Sequence, residues 1–556
     1  MTRSLSNFRC SFFRCSFAII TLILFLATLA LPASAQLSLV RVSIDTLTNT
    51  DSEHKTEVEP DIFAWGNTIV SAFHVARRPG SIGWGSGGIG FSTSINGGKT
   101  WKYGVLPGLT INYEGGTYGA AADPAVAYDA KHATWMISTL PLVGLSDSAE
   151  FIGDVAVSLS PDGLTWGNPV NIDKTHLDDK NWTVCDNTPT SPFYGNCYTE
   201  WDQAFGTGDV LMSVSSDGGN TWGPGLASSD HAGGLGGEPL VQPNGHVVVP
   251  FQGGGIDVFG SANGGKSWTK SQAIASIDFH TVAAGMRDPD LPSTAIDGAG
   301  NVYVVWSDCR FRTSCSSNDV VMSTSSNGTT WSAVTRIPID ATTSTVDHFL
   351  PGIGIDPSTS GSSAHITIVY YYYPVANCSP STCQIYIGYT NSTNGGATWT
   401  AGTEINGPMK VGSLPISDNG PMLADYIGVT YANGEAFSVS PARCRCKGRL
   451  TTNRCTPRKL RCQHCPMHHA SARQTIDRCP TPIAIARQTS TSTTKANVPS
   501  HRRVGFQFQM VASKARKQYE KPPHLRRFFC LTFLYKTVTA VLSLRNESSP
   551  RHLRFI

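Results

Sequence analysis

The chain has 556 residues, and its net charge of +3, from 43 basic and 40 acidic residues, averages two unlike parts. Residues 443–556 hold 24 basic and 3 acidic residues, whereas residues 1–442 hold 19 and 37. The acidic body excludes reading the overall charge as an affinity for nucleic acid, because the basic excess is confined to the tail.

Residues 1–35 read as a secretory signal peptide. Arg3, Arg9 and Arg14 precede an apolar run from Phe17 to Leu31, and Ala33-Ser34-Ala35 forms a small-residue cleavage site. The apolar run falls short of the ~20 residues that a membrane-spanning helix needs. The expected product is secreted, with no membrane attachment after cleavage.

The stretch Leu37 to Ile44 reads as an outermost strand that closes a later sheet. From there to residue 440 short β-branched and aromatic runs, bounded by Gly, Asp and Asn, predict strands in pairs. Glu59-Pro60 leads into the first pair and Asp123-Pro124 into the second. Asp179, Glu238, Asp288, Phe349 and Asp425 open the following ones. Each of the first six pairs is followed by one phrase: a serine, then Asn or Asp, glycine, and Ser/Thr-Trp. The copies are Ser94–Trp101, Ser160–Trp166, Ser215–Trp222, Ser261–Trp268, Ser325–Trp331 and Ser392–Trp399. Their tryptophans are 65, 56, 46, 63 and 68 residues apart, so one supersecondary unit recurs with loops of unequal length. Glycine supplies the positive φ of a tight turn, the Asn or Asp side chain bonds the turn's own backbone, and the Trp opens the return strand.

The phrase resembles the Asp-box of sialidases and related β-propellers, over roughly residues 40–440. The resemblance implies an all-β chain, a β-propeller of four-stranded antiparallel blades, with the boxes away from the active face. Six complete units and the first half of a seventh favour seven blades; six, the number in sialidases, is the alternative. At Pro441 the composition changes. Residues 441–556 are rich in Arg, Cys, Pro and His, show no third strand and no box for the last unit, and read as a largely disordered tail or the product of a shifted reading frame. Cys444, Cys446, Cys455, Cys462, Cys465 and His468-His469 could hold zinc, but no second C-x-x-C follows at finger spacing.

Six cysteines in the repeat region fall in three close pairs, as disulfides of an exported chain do: Cys185/Cys197, Cys309/Cys315 and Cys378/Cys383. The first is expected to link strands a and b of the third blade, the others to staple b–c loops. Sequons stand at Asn181, Asn327, Asn377 and Asn391.

Blade topology puts the starts of strand a and the ends of strand b on the face opposite the box turns. Glu59, Asp123, Glu238, Asp288 and Asp425 are the ligand-binding candidates of this acidic rim, which could bind a cation such as Ca²⁺ although no cofactor is required. The same Asp/Glu-Pro dipeptides also serve strand starts, where the carboxylate accepts backbone N–H bonds. Glu200, Asp202, Arg287, Asp308, Arg310 and Tyr371 are the catalytic candidates for a glycoside hydrolase. Sialidases grip the substrate carboxylate with three arginines, the first in a Phe/Tyr-Arg-Ile-Pro motif. This chain lacks that motif, and residues 37–442 contain only Arg41, Arg77, Arg78, Arg287, Arg310, Arg312 and Arg336. The expectation is therefore a monomeric extracellular propeller that binds a glycan or other extracellular ligand, with a hydrolase or an interaction scaffold as alternatives.

Overall fold

The computed structural model describes residues 37–79, 84–143, 153–417, 419–442 and 483–488. The signal-peptide segment, the cysteine cluster after residue 443 and the remainder of the tail lie outside the described residues. No helix among the described residues is long and apolar enough to cross a membrane.

Seven four-stranded antiparallel units follow one another, each running a, b, c, d from its inner to its outer edge. Blade one is Glu53–Trp65, Thr68–Arg77, Ser86–Ser94 and Lys102–Val105. Blade two is Ala120–Asp129, Thr134–Leu142, Val155–Ser160 and Val170–Asp173, and a pairing of Ser86 with Ala121 joins it to blade one. Blade three comprises Asp179–Cys185, Cys197–Asp202, Val210–Ser215 and Leu226–Ala227. Blade four comprises Leu240–Val241, Val247–Gln252, Ile256–Ser261 and Gln272–Ala275. Ser293–Ile296, Val302–Asp308, Asp319–Ser325 and Thr335–Arg336 make blade five. Asp347–Ile355, Ile366–Tyr373, Gln384–Ser392 and Thr403–Lys410 make blade six. The chain is a β-propeller.

The seventh blade corrects the expectation that the tail brings no third strand. Its a and b strands are Val429–Ala432 and Glu435–Pro441, its c strand is Ile483–Gln488, and Leu37–Arg41 is its outer strand. The amino-terminal strand thus closes the ring as expected, but on a strand from beyond residue 440. Ile485 is buried with Phe437 and Val439 against Ile62 and Phe73 of blade one. The inner strand of blade seven touches those of blades six and one, which completes the circle.

The apolar cores lie between adjacent blades. Tyr198 and Met212 of blade three pack with Val247 and Phe251 of blade four, and Tyr303 and Val305 of blade five with Ile366 and Ile368 of blade six. The six repeated phrases are the c–d turns. In the first, Asn96 Oδ1 accepts the Thr100 N–H, Ser94 Oγ accepts the Gly98 N–H, and the Trp101 indole donates to the Gly98 carbonyl. The other five repeat the serine and Asn/Asp bonds. All three disulfides form: Cys185–Cys197 between strands a and b, Cys309–Cys315 and Cys378–Cys383 in b–c loops.

Candidate functional site

Four inner strands carry a bulge where the a–b register slips: at Glu59, Asp123, Lys180 and Leu350. Each of these residues has a left-handed backbone, φ +49°, +48°, +42° and +48°. A non-glycine residue held there costs about 1–3 kcal/mol and turns its side chain away from the regular alternation. Three of the four are ionisable and line one cavity, a hollow of about 360 Å³ at the starts of the inner strands.

Asp179, Asp288 and Asp425 join Glu59 and Asp123 in that cavity, facing His74, Arg77, Lys180 and Arg287. Trp84, Leu140, Leu142, Leu235, Leu291 and Met422 supply its apolar wall. Arg287 forms a two-pronged pair with Asp425, Nε donating to Oδ1 at 2.7 Å and the terminal nitrogen to Oδ2. Lys180 lies over two aromatic rings, its Nζ 3.9 Å from the centre of Tyr426 and 4.8 Å from that of Trp182. Its charge stabilises the ionised form of most of the buried carboxylates around it.

Burial dominates the protonation states. It raises Glu59, with the Asp425 charge adding to the effect and Arg287 opposing it. Asp123 and Asp179 rise for the same reason, each reinforced by a neighbouring carboxylate. Asp288 is pushed up to about 8 by burial. Asp425 is the exception: burial would raise it, but the Arg287 guanidinium holds it below the usual carboxylate range. His74 is pushed down to about 3 by burial, with Arg77 adding to the effect. Glu59 Oε2 lies 2.9 Å from His74 Nε2, and the Asp123 N–H donates to the same nitrogen at 3.0 Å. Because that nitrogen accepts, the contact with Glu59 is one between a neutral ring and a protonated carboxyl rather than an ion pair.

The five ligand-binding candidates divide. Glu59, Asp123, Asp288 and Asp425 share the cavity, while Glu238 sits deeper along the axis. There it accepts the Thr294 N–H of the next blade at 2.7 Å, the strand-start role anticipated for the acidic dipeptides. Of the six catalytic candidates only Arg287 lines the cavity. Glu200 and Asp202 are fully buried beside it on strand b of blade three, Glu200 accepting the Gly237 N–H, and burial raises both well above their ordinary values. Asp308 accepts from the Trp306 indole and two-fold from Arg310, tying down the loop of Cys309–Cys315. Tyr371 stacks on Phe349 inside the core of blade six. The six therefore do not converge on one space.

Lys180 and Arg77 were not singled out as site residues, although Lys180 occupies the blade position of Glu59 and Asp123. That register was the signal that could have found it.

No protein-family model matches the chain, and no curated protein matches it. Among solved structures it is similar to a protein of unknown function from Dyadobacter fermentans, at 14% identity over 66% of this chain and 100% of that one, TM-score 0.41. It is similar to the intramolecular trans-sialidase from Ruminococcus gnavus at 14% identity, covering 71% and 92%, TM-score 0.36. For the Trypanosoma rangeli sialidase the figures are 10%, 82% and 60%, TM-score 0.38. Sialidases are among its structural neighbours. Likenesses this remote carry no argument about chemistry, and the propeller stands on its own sheet order.

Proposed function

We propose that this is an exported, sialidase-like propeller that binds a glycan or similar hydroxyl-rich extracellular ligand in the cavity of Glu59, Asp123, Asp288 and Asp425. One observation carries the reading: residues from five blades converge on a single hollow opposite the box turns, offering many hydrogen-bond acceptors, a few fixed cations and an apolar wall. The three disulfides fit an oxidising, extracellular setting. The full chain on a glycan array should bind a defined subset, and Asp288→Ala, which removes the hydrogen-bonding group altogether, should weaken that binding by about 10-fold. Absence of any glycan binding and of any turnover would remove the proposal.

A glycoside hydrolase is the second reading, favoured by one pair. Burial and the Asp425 charge raise Glu59 while the Arg287 guanidinium lowers Asp425, and carboxyls shifted in opposite directions are one feature of the acid–base pairs that cleave glycosidic bonds. Turnover of a fluorogenic sialoside or neutral glycoside, abolished by Glu59→Gln with binding retained, decides for it.

A further inference from the structure

Glu59, His74 and Asp123 each offer a ligating atom, and these three atoms lie within 4.8 Å of one another, all of them buried. Nε2 of His74 and Oε2 of Glu59 are 2.9 Å apart. Two ligands with bonds of about 2.1 Å stand about 3.0 Å apart at the right angle of an octahedral shell and about 3.4 Å apart in a tetrahedral one, so the pair needs to move by at most about 0.5 Å to share an ion. A second observation points the same way. Oε1 of Glu59, the second oxygen of the carboxylate that meets His74, has no hydrogen-bond partner, although the side chain is about 1% exposed. Buried polar atoms are nearly always satisfied, so an orphan oxygen on a member of the trio calls for a cause. Asp319, Asp340 and His348 show a comparable spacing, but Arg312 and Arg336 already pair with both carboxylates there. No guanidinium is paired with the oxygens of Asp123 in that way among the described residues.

We propose that Glu59, His74 and Asp123 bind one divalent transition-metal ion of the zinc class, its remaining coordination positions facing the cavity. The imidazole decides the class. Ca²⁺ takes oxygen ligands, whereas a neutral imidazole with two carboxylates suits Zn²⁺, Co²⁺ or Mn²⁺. Binding replaces the hydrogen bond that the Asp123 N–H now donates to Nε2. This site does not depend on the glycan reading, which is tested separately.

The full chain, stripped with a chelator and titrated with Co²⁺, should bind one equivalent, develop visible d–d absorption and release it to Zn²⁺. His74→Ala should weaken Co²⁺ binding by at least about 100-fold, and Glu59→Gln by about 10-fold. X-ray absorption at the zinc edge of the wild-type chain should show one imidazole among oxygen neighbours, an arm that needs no variant to fold. The assignment is overturned by any of three outcomes: no stoichiometric binding of Co²⁺ or Zn²⁺, a zinc shell without imidazole, or Ca²⁺ binding as tightly as Zn²⁺.

Discussion

Gly98, in the hairpin turn of the first blade, lies against the ring of Phe437 in the seventh: a Cβ on Gly98 would come within 2.3 Å of it. The same glycine of every other turn packs on the preceding blade, as Gly265 does on Val214 and Gly328 on Val248. The turns therefore act as spacers between neighbouring sheets, and the first one seals the ring. Gly98 also has φ +78°. Gly98→Ala combines a left-handed strain with overpacking against a buried ring and should lower stability by about 3 kcal/mol. Gly66→Ala, at φ +58° with nothing within 4 Å of the added carbon, should lower it by only about 1 kcal/mol. Urea denaturation of both variants checks the difference; equal losses would show that the turn does not bear on Phe437.

Ring closure makes a second demand. Ile485 is 2% exposed in the strand Ile483–Gln488, whereas Val40, its partner in register on the outer strand, is 43% exposed. Ile485→Asp puts a charge into the core shared with Phe437 and Phe73 and should cost at least about 3 kcal/mol, against well under 1 kcal/mol for Val40→Asp. Thermal unfolding followed by circular dichroism distinguishes them. If Ile485→Asp melts with the parent chain, the third strand of blade seven does not contribute to the folded ring.

The repeated turns were legible because their chemistry is local. A tight c–d turn needs glycine at positive φ and a short acceptor side chain within four residues, and six copies state that plainly in the sequence. The third strand of blade seven was not, because Ile483–Gln488 is a six-residue segment with no box beyond it, separated from Pro441 by some forty residues of unlike composition. The acidic rim was half legible. Blade topology placed Glu59, Asp123, Asp288 and Asp425 on one face, but whether a strand-b residue reaches the axis depends on register and bulges that only coordinates fix. Asp308 and Arg310 found each other instead of the cavity, and Tyr371 turned into the core. Glu238 was spent on the Thr294 N–H.

Protonation of the cavity gives a pH dependence with a definite sign. Asp288 is raised from 3.8 to about 8 by burial, so the folded chain holds its proton over that interval while the unfolded chain has lost it. Its contribution to stability is therefore present below pH 4 and is lost as pH rises toward 8, with a limiting slope of about 1.4 kcal/mol per pH unit. Asp288→Asn mimics the protonated side chain and should flatten this decline between about pH 5 and 8. Denaturant midpoints measured across that range check it. A variant whose decline matches that of the parent would place the titration elsewhere.

Arg287 and Asp425 offer the most direct test of how the cavity is held. The pair is two-pronged and largely shielded from water, with side chains 22% and 7% exposed. Removing the guanidinium alone in Arg287→Met leaves the Asp425 charge with only Lys180 and a contact to Glu59 to offset it, and loss of the main partner in such a setting costs about 3 kcal/mol. Removing both charges in Arg287→Met/Asp425→Leu relieves the stranded carboxylate. The double variant should therefore be more stable than Arg287→Met, by roughly 1–2 kcal/mol, and the two single losses should not add. It should also lose ligand affinity, because Arg287 is one of the three cations that line the hollow. The contrast separates stability from recognition: regained stability with lost binding is the signature of a charge pair that shapes the cavity. Additive single losses in the double-mutant cycle would mean that Arg287 and Asp425 act independently.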